Sequence, residues 1–100
     1  MTQTITPAPI VPITGVVTAG TVNIHNNSLS PATVNLYAPG VFPPYIDVEI
    51  IYSGQTLSIT PPIPSGTIYY LTAYSWVFPF PPFHQTFQKD GNTVDVSLPW

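Results

Sequence analysis

Two short stretches decide the fold of this chain: TVNIHN at residues 21–26 and ATVNLY at residues 32–37. Apolar and polar residues alternate in both, which places the two kinds on opposite faces of an extended backbone. This period of two is typical of strands with one side buried. The polar sequence NNS at 26–28 predicts a turn between them. The two stretches therefore predict a pair of half-buried strands.

The same alternation recurs along the chain. It is found at residues 46–50 (IDVEI), 56–60 (TLSIT) and 93–98 (TVDVSL), and residues 67–77 form a longer apolar and aromatic run. Turn sequences rich in Gly, Pro, Asn and Ser separate these segments. The 14 prolines and the lack of a helical apolar period argue against helices. We therefore predict an all-β fold, an antiparallel β-sandwich of the jelly-roll type with an extended N-terminal arm.

The aliphatic side of each alternating segment predicts the core. On this basis the strand at 46–50 is expected to bury its aliphatic residues and to turn Asp47 and Glu49 to solvent. The predicted core consists of Val22, Ile24, Val34, Leu36, Ile46, Val48, Ile50, Leu57, Ile59, Tyr70, Val94 and Val96.

The first residues differ from the rest of the chain. One hundred residues are enough for one domain, and we divide them into a connector arm at 1–14 and a β-sandwich domain at 15–100. The arm contains three prolines, which would suit a disordered or polyproline-like tail. Its aliphatic residues, however, are too apolar for a solvated linker; they are Ile5, Ile10, Val11 and Ile13.

The spacing of the arm's prolines indicates a strand. Pro7 and Pro9 have the same parity, so an extended arm lacks amide donors along one edge only. The other edge can pair with a sheet, on the arm's own domain or on a neighbour's. We predict that the four aliphatic residues of the arm lie in a contact between subunits.

Charged residues are scarce. Asp, Glu, Lys and Arg make up 5% of the chain, with a net charge of −3 and Lys89 as the single cation; an ordinary soluble protein has about 25%. Neutralising phosphates requires clustered cations, so nucleic acid is excluded as a partner. No apolar run is long enough for membrane insertion. Copies with so little charge repel one another weakly, which favours assembly of the protein with itself.

The N-terminus bears on location. It shows neither the cationic nor the apolar region of a signal peptide. There are no cysteines, so disulfides and thiolate metal sites are excluded. We expect an extracellular or cell-surface location, reached after removal of an export signal or by another route.

Few residues could carry catalysis. His25 and His84 are the two histidines, and neither belongs to a cluster with metal-ligand spacing. Asp47 and Glu49 share a strand face and could hold Ca²⁺, although a solvated strand face is the simpler explanation. No nucleophile–base pair can be assembled, so we predict no enzyme activity, no metal and no cofactor. Residues 26–28 also match the N-glycosylation pattern, with Asn26 as acceptor on a turn expected to be accessible.

Two loops combine aromatic residues with paired prolines. They are FPPY at residues 42–45 and FPPF at 80–83, the second preceded by Phe78 and Pro79. Proline stiffens each loop, so its aromatic residues are held in place at little entropic cost. Either they fold inward as lids on the sandwich, or they project as interface anchors. Simple up-and-down connections place the loops at opposite ends, which suits head-to-tail stacking. The predicted loop contacts are Phe42, Tyr45, Phe80 and Phe83.

Three segments resemble the pilus-like subunits of bacterial endospore appendages. They are GTVNIHN at residues 20–26, VNLY at 34–37 and SGQTLSI at 53–59. The resemblance implies a spore-surface fibre in which the N-terminal peptide bridges successive subunits. Those subunits carry connector cysteines and this chain has none, so the contacts implied here are non-covalent. Other cysteine-free fibres that use a donated strand fit the residues equally well.

The sequence thus predicts a self-assembling filament subunit whose partners are its own copies and an anchoring or tip protein. The alternative is a monomeric extracellular binding module, such as a carbohydrate-binding or adhesin domain. Aromatic residues could then stack on sugar rings if exposed on one face; the candidates are Tyr69, Tyr74, Trp76 and Trp100. A viral capsid or spike subunit is a third possibility, and the scarcity of cations argues against any genome-facing role.

Overall fold

The computed structural model describes residues 2–5, 15–77 and 80–100. Over these ranges the chain forms nine strands and no helix, so the all-β prediction is confirmed. The strands are β1 (Thr2–Ile5), β2 (Val16–Thr18), β3 (Thr21–His25), β4 (Ala32–Ala38), β5 (Tyr45–Ile51), β6 (Thr56–Ile59), β7 (Ile68–Ser75), β8 (Phe83–Gln88) and β9 (Thr93–Ser97).

The strands form two sheets. One has four strands in the order β1-β9-β3-β6, and the other has five in the order β2-β8-β7-β4-β5. Inward residues of both sheets meet in a single hydrophobic cluster, which includes Val22 and Val96 from one sheet and Leu36 and Phe87 from the other. The arrangement is therefore sandwich-like, with one core between two layers.

The sheets are mixed rather than antiparallel. The pairs β1–β9, β3–β9 and β2–β8 are parallel, and the pairs β3–β6, β4–β5, β4–β7 and β7–β8 are antiparallel. The cause is the position of β7 between β4 and β8. Because β8 is antiparallel to β7, and β7 to β4, β8 runs in the same direction as β4. Alternation along a strand carries no information on this direction.

Most of the predicted core is confirmed. Leu57 is partly buried and packs against the core. The buried members are Val22, Ile24, Val34, Leu36, Ile59, Val94 and Val96.

Four core predictions are wrong, and three of them lie on β5. Ile46, Val48 and Ile50 are 63%, 59% and 46% exposed. They lie opposite Tyr37, Asn35 and Thr33, the outward residues of β4, so they share the outer face of the sheet. Asp47 and Glu49 lie opposite Leu36 and Val34, on the side of the core, and are half-buried. The alternation located two faces correctly, but hydrophobicity assigned the wrong one to the core.

Tyr70 is the fourth wrong prediction. It is 42% exposed, whereas its neighbours Tyr69 and Leu71 are fully buried. Tyr69 fits the interior because its hydroxyl donates to the carbonyl of Ala19 at 2.7 Å and its ring stacks on Phe87. Residues 68–71 (IYYL) are all apolar, so sequence alone does not fix which parity of β7 faces inward.

The arm is described only at its start. Thr2–Ile5 pairs in parallel with β9, at the edge of the four-stranded sheet. Three of the predicted arm contacts, Ile10, Val11 and Ile13, lie outside the described residues, and so does the side chain of Ile5.

Candidate interaction surfaces

The register of β4 and β7 fixes where the two proline-rich loops lie. Tyr37 pairs with Tyr70 and Ala32 with Ser75, so the end of β4 and the end of β7 are at opposite ends of the sheet. Residues 39–44 follow β4, and residues 80–82 follow β7 and precede β8. We call these the Pro43 end and the Pro81 end of the molecule.

The Pro43 end carries an apolar cleft. Phe42 projects from it with 99% of its surface exposed. Tyr45 is half-buried, and burial, reinforced by the nearby Asp47 carboxylate, raises the pKa of its hydroxyl, which therefore stays protonated. The cleft has a volume of about 610 Å³ and is lined by Val41, Phe42, Pro43, Pro44, Tyr45, Pro62, Ile63 and Pro64.

In the described part of the loop at the Pro81 end, Phe80 is the exposed aromatic residue. Phe80 is 49% exposed, and the indole N–H of Trp100 donates to the carbonyl of Pro81 at 2.9 Å, which ties this loop to the domain. Phe83 is 5% exposed and belongs to the core. It therefore folds inward, which was one of the two alternatives for the aromatic residues of the loops. Phe78 and Pro79 lie outside the described residues. Of the four predicted loop contacts, Phe42 and Phe80 project outward, Tyr45 lines the cleft and Phe83 is interior.

The outer face of the five-stranded sheet carries seven of the thirteen large hydrophobic residues that are exposed in the described part of the chain. Its exposed residues come from β4, β5 and β7, which are adjacent in the sheet. Register places Tyr37 beside Ile46 on one side and Tyr70 on the other. We call this surface the tyrosine face; it consists of Tyr37, Ile46, Val48, Ile50, Tyr70, Tyr74 and Trp76.

Few polar groups interrupt the tyrosine face. The indole N–H of Trp76 donates to the hydroxyl of Thr33 at 2.8 Å, which holds the ring over β4 while 54% of Trp76 stays exposed. Asn35 and Thr72 lie near the centre, and Thr72 is 3.3 Å from Nδ1 of His84 at one margin. None of these side chains carries a carboxylate or an ammonium group.

The outer face of the four-stranded sheet is polar instead. Thr21 and Thr60 share a hydroxyl–hydroxyl hydrogen bond at 2.7 Å, and Asn23 donates to Asp95 at 2.9 Å. The outward residues of β3, β6 and β9, the strands of this sheet whose side chains are described, are Thr21, Asn23, His25, Thr56, Ser58, Thr93, Asp95 and Ser97. The two outer faces of the molecule therefore differ sharply in chemistry.

His25 is the one histidine close to a carboxylate. Its Nε2 is 3.4 Å from Oδ1 of Asp95, and its Nδ1 is 2.9 Å from the hydroxyl of Thr56. This hydroxyl–imidazole–carboxylate row lies on an open, half-exposed sheet face. The strand amides around it are engaged in ladder hydrogen bonds, so they do not form an oxyanion hole. The row is best explained as part of the polar face.

Asp47 and Glu49 lie next to each other on the core side of β5. The Asp47 carboxyl, through hydrogen bonding and its charge, raises the pKa of Glu49. Over the described ranges no three residues of the His, Asp and Glu types are grouped closely enough to hold a metal ion. The pair alone offers too few oxygen ligands for Ca²⁺, which takes six to eight.

Asn26 is not an accessible glycosylation site. It is fully buried, and its Nδ2 donates to the carbonyls of Ser30 and Ile51 at 2.9 and 2.8 Å. Its Oδ1 accepts from the amide and the hydroxyl of Ser28. The prediction of an exposed acceptor is therefore wrong, because the side chain is used to hold the turn.

The residues suggested for sugar stacking divide in two. Tyr74 and Trp76 are exposed on the tyrosine face, whereas Tyr69 is buried and Trp100 is half-buried against Pro81. Sequence reasoning missed Tyr70 as a surface residue, whereas the outward position of Tyr37 agrees with the alternation in β4. The missing signal was the parity of β7, because residues 68–71 are consecutive apolar residues.

Comparisons with protein-family models, with curated proteins and with solved structures find no match to this chain. In the described ranges no helix is long and apolar enough to cross a membrane.

Proposed function

We propose that this chain is a structural subunit that assembles with its own copies into an extracellular or spore-surface filament, acting by non-covalent assembly and not by catalysis. The observation that carries the proposal is the placement of exposed aromatic rings at opposite ends. Phe42 and its cleft lie at the Pro43 end, and Phe80 lies at the Pro81 end. A contact between unlike ends repeats along an axis and forms a filament when rotation does not close a ring.

The two ends are suited to each other in size and chemistry. A cleft of about 610 Å³ has room for a phenyl ring and a neighbouring proline, and its lining carries no charged residue. Phe80 is held by the loop that Trp100 fixes, so little conformational entropy is lost on docking. We propose that Phe80 of one copy enters the cleft of the next.

The arm supplies a second proposed contact. β1 pairs with β9 within one chain; the same pairing made by a neighbour's arm would link subunits, with Ile5, Ile10, Val11 and Ile13 at the junction. Each aliphatic residue gains about 1.5–3 kcal/mol when fully buried. Ordering the arm costs about 1–2 kcal/mol per residue, so the four aliphatic contacts alone do not hold a junction, and the backbone pairing and the cleft contact have to add to them. An anchoring or tip protein would end the filament.

The strand order supports a jelly-roll origin for the fold. Jelly rolls interleave eight strands as two four-stranded sheets, in the orders 1-8-3-6 and 2-7-4-5. The observed orders follow this scheme if β7 is an added strand between β4 and β8. One added strand reverses the direction of those that follow it, which accounts for the parallel pairs. We propose a jelly roll with one inserted strand.

Electron microscopy of negatively stained full-length protein tests the end contact. We expect filaments from the native chain and none, or much shorter ones, from Phe80→Ser. Val16→Ser is the matched control, because Val16 is 51% exposed on β2, at the edge of the sheet opposite β5, and does not line the cleft. It should leave filament length unchanged. If the native chain forms no filaments, the proposal fails.

The arm is tested separately by deleting residues 2–13, and by the double substitution Ile10→Asp with Ile13→Asp. Both changes should leave a folded, soluble protein that no longer forms filaments. The deletion removes only β1, the edge strand of its sheet, and leaves β2 to β9 in place, while charge in the arm opposes docking. Filaments identical to those of the native chain would show that the arm is not the connector.

A second candidate function is supported by one observation. Tyr70, Tyr74 and Trp76 are exposed on the same sheet face, where aromatic rings can stack on sugars. A carbohydrate-binding module of this kind would stay monomeric. Glycan-array binding by a protein that forms neither filaments nor dimers would favour this candidate.

A further inference from the structure

The tyrosine face lacks a covering partner within the described chain. Its seven residues are between 41% and 63% exposed, although tyrosine, tryptophan, isoleucine and valine are usually placed inside or at contacts. An exposed apolar patch on a soluble monomer seldom exceeds about 300–600 Å². Four half-exposed aromatic residues and three aliphatic ones present roughly 650 Å² here.

We propose that the tyrosine face docks against the same face of a second copy of this chain, forming a two-fold symmetric pair. The exposed area of the face is sufficient for a contact with a second copy. With Thr33, Asn35 and Thr72 included, it approaches the roughly 800 Å² per partner of a standard interface. Two sheets pack face to face about 10 Å apart, which is the geometry already used inside this sandwich.

The charge distribution favours a second copy. Asp47 and Glu49 point away from the tyrosine face, and Lys89 lies at the Pro43 end. Like charges therefore do not meet when two such faces approach, and no charged group is desolvated. The polar groups near the centre can bond across the interface or keep the bonds they have, as Thr33 does with Trp76.

The edge of the sheet is a less suitable contact than its face. β5 is an edge strand, so its outer backbone groups could in principle accept another strand. Asp47 and Glu49 lie on the core side of that strand, and inward-pointing charges on an edge strand oppose strand addition. Copies are therefore expected to meet through the tyrosine face, with β5 at its border.

The pair differs in kind from the end contacts of a filament. A two-fold contact uses the same surface on both partners and closes at two copies, whereas end contacts continue. If both form, two filaments associate side by side. If only the face pairs, the protein is a dimer, so this inference and the proposed function succeed or fail separately.

Sedimentation equilibrium of the full-length protein tests the pair. A background that combines Phe80→Ser with Ile10→Asp and Ile13→Asp removes both proposed filament contacts, so that pairing through the face is measured alone. We expect dimers with a Kd on the order of 10 µM, weakened about 100-fold or more by Val48→Lys, which places an unpaired ammonium in the interface. Ser58→Lys is the matched control: it adds the same charge at an exposed site on β6, the edge strand of the other sheet. It should leave the Kd within about twofold.

Thermal melts identify variants that fail to fold, and Tyr74→Lys provides a second test of the face on β7. A monomer at every concentration up to about 1 mM, or an unchanged Kd in both lysine variants, would overturn the proposal. Glycan binding by a monomer, lost in Tyr74→Ala, would assign the face to a sugar instead. Filaments that form in Val48→Lys with half the native mass per length would support both the pair and the proposed function.

Discussion

Lys89, the single cation of the chain, has a structural role. Its ammonium donates to the carbonyls of Gly20 and Pro61 at 2.9 and 2.8 Å, and so joins three segments at the Pro43 end. Hydrogen bonds from a charged donor contribute about 1.5–3 kcal/mol each. We expect Lys89→Met to lower the free energy of unfolding by about 2–4 kcal/mol in urea titrations. Ser58→Met, at an exposed position, should change it by less than about 0.5 kcal/mol.

Asn26 fixes the turn between β3 and β4 through four side-chain hydrogen bonds. Asn26→Ala leaves two buried carbonyls and the Ser28 donors without this partner, so we expect a loss of about 2–4 kcal/mol in unfolding free energy. Asn27→Ala is the natural control, because Asn27 is the exposed neighbour in the same turn. Equal losses in both variants would show that the turn sequence, and not the buried amide, provides the stability.

At the scale of an element, β5 has a pH-dependent component of stability. Asp47 raises the pKa of Glu49 above its ordinary value of 4.5, while the residues opposite on β4, Leu36 and Val34, are uncharged. The folded state thus binds this proton more tightly than the unfolded chain does. Stability therefore increases as the pH falls through the raised pKa and decreases as the pH rises through it.

Glu49→Gln should consequently raise the melting temperature at neutral pH and have little effect below pH 4.5, where both states are protonated. Melting curves measured across this window test the expectation. Added salt should reduce the difference, since salt screens the repulsion between two carboxylates that are in contact with solvent. A variant that is less stable than the native chain at neutral pH would contradict the assigned cause.

The strands themselves show what sequence could and could not predict. Alternation identified β3, β4, β6 and β9 with their correct inward residues, because polar and apolar positions there match solvent and core. On β5 the same pattern is present with the opposite outcome: isoleucine and valine are outside. A row of aliphatic residues along one side of a strand does not reveal whether that side faces the core or the outer surface. For β5, only the pairing with β4 separates the two cases.

For the whole molecule, sequence placed the two proline-rich loops at opposite ends, and the β4–β7 register agrees. It did not predict the tyrosine face, since that surface is assembled from three strands that are adjacent in space and not in sequence. It also did not predict the parallel pairs, which depend on the position of β7 between β4 and β8. The alternation pattern of a single strand therefore does not predict properties that arise from the order of strands in a sheet.

The position of β9 has a consequence for how the chain reaches its native state. β9 lies between β1 and β3, and the bond from Asn23 to Asp95 spans 72 residues. Closing such long loops is entropically unfavourable before any contact compensates for it, and folds dominated by distant pairings fold in about milliseconds to seconds. On the ribosome, β3 emerges early and can pair with β6 in mid-chain, but its other neighbour, β9, exists only when nearly the whole domain has been made. We expect slow refolding by stopped-flow fluorescence and, during translation, a nascent chain that stays sensitive to protease until β9 has left the exit tunnel.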